Sequence, residues 1–212
     1  MSNSMTRNLT IWSPIPMILI LFLVAILGGR ILGVWVWIPI VLVYWAYMAL
    51  LIWLNGGRDL ITDWLAPSKG RWYWNALALI FVLPLLPTFL DNYHLFSEWW
   101  IILLGLILAA INPWLEEGYW RGLLLDATKE WSAWASLLYS SVLFAIGHLT
   151  LGVHSIASRH PIAIIAIGVM GLIWGIVYKK TGSLRWVIFG HMLVDIFNLT
   201  IPALLNMYVP PA

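Results

Sequence analysis

The chain contains no cysteine. Disulfides, thiolate metal ligands and a cysteine nucleophile are therefore excluded, and cysteine usage says nothing about redox compartment. Charge is almost as scarce. Asp, Glu, Lys and Arg make up 9% of the residues, where an ordinary globular chain has roughly a quarter. That is too little polar surface to coat a soluble domain of 212 residues. The net charge of +2 is spread along the chain without a basic run, which excludes a nucleic-acid partner. There is no HExxH, the helical zinc signature. There is also no internal repeat, and no linker long enough to separate two domains. What the chain has in abundance is apolar: 62% of it is hydrophobic, which excludes a disordered chain as well. Sixteen Trp and eight Tyr are many for this length, and such amphipathic rings gather at the two membrane–water interfaces.

Apolar stretches of about 20 residues are the unit to look for in such a chain. Seven can be counted: Ile11–Gly28, Gly33–Leu54, Trp72–Leu90, Trp99–Leu125, Trp131–Leu151, Pro161–Tyr178, and Leu184 to about Leu205. The expected fold is thus an all-α, polytopic transmembrane helical bundle. The apolar run Ile15–Leu27 has no small-residue cleavage site after it and reads as a retained span, not a signal peptide. Between the second and third spans, Leu60, Ile61, Trp64 and Leu65 share one helical face, with Asp59 and Asp63 elsewhere, as in a short interfacial helix. Pro84 and Pro87 are expected to bend the end of the third span. The fourth is too long for a simple crossing and carries Pro113, so it is expected to tilt or kink. With the N-terminus in the cytoplasm, the inner segments hold eight Lys or Arg and the outer ones two, Arg30 and Arg159. That bias predicts an N-in, C-out protein.

An ionisable residue at mid-membrane costs roughly 2.5–3.5 kcal/mol on insertion scales. The spans nevertheless hold Glu116, Glu117, Arg121, His148, His191 and Asp195. These groups must face the bundle interior, pair with one another, or line a wet cavity. Glu117 and Arg121 are i,i+4 and can pair along one face. Glu116 lies about 100° round the helix and does not share that pairing. His191 and Asp195 are again i,i+4. Phe144 stands one turn before His148, in reach of its ring. Three helices therefore offer carboxylates and imidazoles to a shared interior, which is what general acid–base hydrolysis needs.

Each of these features also has a bland reading. A Glu–Arg pair is often a packing lock, and a lone His in a span often only bridges helices. His94, His154 and His160 read as solvated loop residues. Asp126, Lys129 and Glu130 read as a helix terminus at the surface, and the Trp residues as interfacial anchors and packing. Gly168, Gly171 and Gly175, at near-helical spacing, read as a close helix contact.

The run Glu116-Glu117-Gly118-Tyr119-Trp120-Arg121 resembles the EExxxR motif of the CAAX protease and bacteriocin-processing family, also called ABI. Phe144-Ala145-Ile146-Gly147-His148 resembles its FxxxH motif, and His191-Met192-Leu193-Val194-Asp195 its HxxxN motif. The three occur in order, each within its own span, and the resemblance covers roughly Trp99 to Leu199. It implies an intramembrane endopeptidase of the kind that trims prenylated CAAX proteins, in a prokaryotic cytoplasmic membrane. Residues 99–205 would form the catalytic four-helix core and residues 1–98 three accessory spans of the same membrane domain. By the resemblance Glu116 is the catalytic glutamate and His148 its partner in activating water. His191 and Asp195 occupy the oxyanion-stabilising positions, and Glu117 and Arg121 form the supporting pair. The implied partners are a peptide or lipidated protein and the bilayer.

One residue departs from the pattern. The third motif usually ends in Asn, whose amide can donate to an oxyanion, and here it ends in Asp195. Either Asp195 is protonated, or Asn198 on the same face supplies the donor, or Glu116, His148, His191 and Asp195 contribute to a metal site such as zinc. The metal-free reading is preferred, since a paired carboxylate and imidazole suffice for base catalysis. Counted from the inner turns at about 1.5 Å per residue, His148 falls deeper than Glu116 and His191 by on the order of 10 Å. Two rival functions remain: a non-catalytic peptide-binding or immunity protein, and a proton-coupled transporter, which is disfavoured because the two related halves of such proteins are missing.

Overall fold

In the computed structural model, residues 3–96 and 99–198 are described, and all regular structure among them is helical. The C-terminal part of the seventh predicted span and the C-terminus itself lie outside these residues. The principal helices are α1 (Asn3–Trp12), α2 (Pro14–Leu23, continuing through a wide turn to Leu32), α3 (Trp37–Leu54), α4 (Arg58–Trp64), α5 (Trp72–Leu77), α6 (Val82–Asn92), α7 (Trp99–Glu116), α8 (Ala133–His148), α9 (Pro161–Thr181) and α10 (Arg185–Phe197). Among the described residues five segments are long and apolar enough to cross a membrane: Pro14–Leu32, Trp37–Leu54, Trp72–Asp91, Ala133–Val153 and Pro161–Thr181. The other two predicted spans are α7 with the turns that extend it to Ala127, and the 13-residue α10.

These helices are apolar on nearly every side, so hydrophobic residues are exposed as well as buried, and small and polar residues share the core with them. Leu42, Leu83 and Ile165 are well exposed, whereas Ser136, Ser140 and Ser141 of α8 are buried. The most extensive pairing is α8 with α9. Glycines make it close, as their spacing suggested: a Cβ on Gly175 would stand 2.7 Å from the Leu137 side chain. Helix α10 packs on α7 and on α6.

Besides the first, with its wide turn at Val24–Gly28, two of the predicted spans are interrupted. From Glu117 to Leu123 the α7 helix unwinds into a π-helix and then resumes as Leu124–Ala127. The third span instead tightens. Between α5 and α6 its backbone bonds run i→i+3: Leu79 N to Ala76 O, Ile80 N to Leu77 O, Val82 N to Leu79 O. The predicted bend at Pro84 and Pro87 is therefore found upstream of both, and Pro87 lies inside α6. The cause is Pro84, which has no N–H for the Ile80 carbonyl and whose ring crowds it. Ile80 O takes the Leu83 N–H instead.

The short helix expected between the second and third spans is present as α4, with Trp64 buried and Ile61 exposed. It is strapped to the core helices: Trp64 Nε1 donates to Asp126 Oδ2 at 3.0 Å, and the Leu184 N–H donates to the Trp64 carbonyl at 2.8 Å. Tyr178 also donates to Asp126, which stands at the surface as a helix terminus should. At the same end Arg7 pairs with Glu130, and the Lys69 N–H bonds the Thr181 carbonyl. The segments assigned to the inner face thus gather together. His154 does not read as a solvated residue: its Nε2 bonds the Ala25 carbonyl at 2.9 Å, in the wide turn of α2.

Candidate active site

The π-turn carries the charged groups into the core. Glu116, Glu117 and Arg121 are each 2% exposed or less, and every residue from Glu117 to Leu123 is buried. π-turns inside α-helices are rare and concentrate at functional sites. Gly122 lets this turn meet α4, since a Cβ there would stand 2.6 Å from the Trp64 ring. Arg121 Nη1 bonds Glu117 Oε1 at 3.2 Å, the pairing that the i,i+4 spacing predicts.

His191 of α10 lies between the two glutamates. Its Nδ1 is 2.7 Å from Glu117 Oε1 and its Nε2 is 3.5 Å from Glu116 Oε2. Asp195 Oδ1 is 3.5 Å from the same Nε2. On the other side of Glu116, His148 Nε2 stands 3.9 Å from Oε1. His148 Nδ1 is 2.9 Å from the Phe144 carbonyl, an acceptor, so Nδ1 carries the proton and Nε2 is the nitrogen turned to Glu116. The depth offset expected between His148 and Glu116 is thus closed. Helices α7 and α8 are antiparallel neighbours in sequence, and side chains tilt toward their own helix N-terminus. The two side chains therefore lean toward each other along the bundle axis.

Aromatic rings hold the charged groups in place. Arg121 Cζ lies 4.1 Å above the Phe144 ring, and Phe144 meets the His148 ring edge-on at 4.5 Å, as its position one turn earlier suggested. Trp174 of α9 stacks on His191 at 4.7 Å with a 30° tilt, and its Nε1 donates to the Ala78 carbonyl at 3.0 Å. Trp120 and Trp174 are fully buried, while Trp12, Trp53, Trp72 and Trp99 are exposed. Trp120 and Trp174 thus belong to the packing half of the expected reading, and they brace the polar cluster.

The structure brings together Glu116, Glu117, Arg121, Phe144, His148, His191 and Asp195. It does not bring in Asn198, which closes α10 with its backbone N–H on Val194 O. Among the described residues, five of the seven buried polar side-chain atoms without a hydrogen-bond partner belong to Glu116, Glu117, Arg121 and Asp195. Such atoms are few in folded proteins, and here they gather in one place. Among the described residues no group of three or more His, Cys, Asp or Glu side chains is arranged to hold a metal ion. Beside the cluster, toward α4, is an apolar cavity of about 500 Å³, lined among others by Ile52, Trp64, Trp114, Gly118, Leu184 and Ile188.

Residues 98–197 match the family model described as type II CAAX prenyl endopeptidase Rce1-like. No curated protein and no solved structure matches the chain.

Proposed function

We propose, from the match of residues 98–197 to the Rce1-like type II CAAX prenyl endopeptidase family model, that this integral multi-pass membrane protein hydrolyses a peptide bond near the C-terminus of a membrane-associated, prenylated substrate. The observation that carries the proposal is the position of Glu116, with one carboxylate oxygen turned to His148 and the other to His191. A water held beside Glu116 gives its proton to the carboxylate as its oxygen attacks the scissile carbonyl. His191, its Nδ1–H held by Glu117, offers Nε2–H to the oxyanion. Glu116 passes the proton it took to His148 Nε2, which delivers it to the leaving amine. Arg121 offsets the charge of Glu117, so that a second carboxylate can stand beside His191 without opposing the first. The reaction so described needs no metal ion. The apolar cavity flanks the cluster through Gly118, next to Glu117, and Ile188, one turn before His191. It is the proposed seat of the substrate's lipid.

The test is cleavage of a farnesylated CAAX peptide beside its unmodified counterpart by purified protein, with and without a chelator. Parent protein should cleave the farnesylated peptide with the lower KM and be indifferent to the chelator. Glu116→Gln should stay folded and lose about 10²–10⁴-fold in rate, the usual cost of removing a general base. Cleavage by Glu116→Gln at the parent rate would sink the assignment. A peptide-binding protein would instead bind peptide without cleaving it. The proposed orientation is N-in and C-out, and a C-terminal reporter active in the cytoplasm would overturn it.

A further inference from the structure

Tyr44 lies in α3, outside the stretch that carries the family motifs. Trp120 Nε1 donates to its hydroxyl oxygen at 2.7 Å. Trp120 is fully buried and follows Glu116 by four residues, so both stand on one side of their helix. The hydroxyl held by the indole thereby stands on the side of the helix that carries Glu116, whose Oε2 is buried without a hydrogen-bond partner. The chemistry of the three groups sets the direction of each bond. An indole only donates, a carboxylate only accepts, and a phenol has a single proton to give. With its oxygen already engaged by Trp120, Tyr44 has its proton left, and the unpartnered Glu116 Oε2 on the same side of the helix is an acceptor for it. Its neighbours on α3 are committed elsewhere: Trp45 to Asn112 Oδ1 at 2.9 Å and Tyr47 to the Ser13 carbonyl at 3.0 Å.

We infer that Tyr44 is a positioning residue for Glu116: Trp120 orients the hydroxyl, the hydroxyl donates to the carboxylate, and the carboxylate is held facing His148 and His191. The inference rests on the reading of Glu116 as the group that takes the proton from water. It gives the second span a part in the reaction that no motif records. A hydrogen bond to an ionised group is stronger than one between neutral groups, and a base held at the right angle avoids the rate lost to misalignment.

The experiment compares Tyr44→Phe with Tyr47→Phe in the purified full-length protein in lipid nanodiscs. Both substitutions remove one hydroxyl from the same helix. Tyr44→Phe should lower kcat by about tenfold or more, as loss of a bond to a charged group implies, with KM within about twofold. Its thermal midpoint should match that of Tyr47→Phe, which should keep the parent kcat. Infrared spectroscopy supplies a readout independent of turnover. The carboxyl band that disappears in Glu116→Gln should move in Tyr44→Phe and stay in Tyr47→Phe. An unmoved band overturns the inference, as does an equal loss of kcat in the two variants or a rise in KM alone. If the parent cleaves no peptide, the proposed function fails while the band still decides the role of Tyr44.

Discussion

Two spans of this protein depart from the α-helix in opposite senses. The third is overwound between Ala78 and Phe81, with i→i+3 bonds. The fourth is underwound from Glu117 to Leu123. Overwinding follows from a proline and frees a carbonyl, and that carbonyl is capped from outside by Trp174. Underwinding follows from no proline at its own position. It widens the helix where two adjacent glutamates must reach the two nitrogens of one imidazole. In an ideal helix consecutive side chains diverge by about 100°, and a wide turn changes that angle. One irregularity is a local accident of sequence made safe by packing, and the other is the scaffold of the site.

The sharpest way to break this contrast is at the underwound turn. Glu117→Gln removes the carboxylate shared by Arg121 and His191 and leaves a buried guanidinium uncompensated. Losing one partner of a buried pair costs roughly 3–5 kcal/mol, so yield and thermal midpoint should fall steeply and cleavage should vanish. A stable, active Glu117→Gln protein would mean that the turn does not depend on its charge pair. At the overwound turn the corresponding change is Trp174→Phe, which keeps a ring against His191 but strands the Ala78 carbonyl. An unsatisfied buried acceptor costs about 1–3 kcal/mol, and the measured loss of stability should lie in that range with a smaller loss of kcat. Loss as large as in Glu117→Gln would erase the distinction between the two turns.

The smallest effect is expected at Asp195, on the helix that faces both irregularities. Asp195→Asn restores the amide usual in the family and gives an oxyanion a second donor. In the metal-free proposal it keeps or raises activity and leaves a chelator without effect. If Asp195 holds a metal, the same change lowers activity and the parent is silenced by the chelator. Cleavage by both proteins across pH, each with and without chelator, separates these outcomes by sign.

The sequence made the pairs along single helices legible, because i,i+4 spacing survives most distortions. Glu117–Arg121 and Phe144–His148 are of this kind. The membrane character, the helical fold and the chemistry-bearing spans were legible from composition and motif order. What could not be read was anything that depended on the shape of the irregular turns. His191 between Glu116 and Glu117 is such a case, since regular helical geometry sends those two glutamates apart. The bend ahead of Pro84 is another, because proline acts on the carbonyl four residues before it. Which tryptophans anchor and which pack could not be read for a different reason. The same residue type serves lipid interfaces and buried hydrogen bonds, and only three-dimensional placement separates Trp72, which is 77% exposed, from Trp174, which is 0% exposed.

The Trp174–Ala78 bond has a thermodynamic corollary. The tightened turn looks like a hinge, yet its free carbonyl is satisfied by the ring that supports His191. A backbone acceptor facing hydrocarbon alone would cost several kcal/mol, so the third span cannot swing away from the core without also releasing Trp174. Position of the span and alignment of the histidine are therefore linked functions, and linkage is reciprocal.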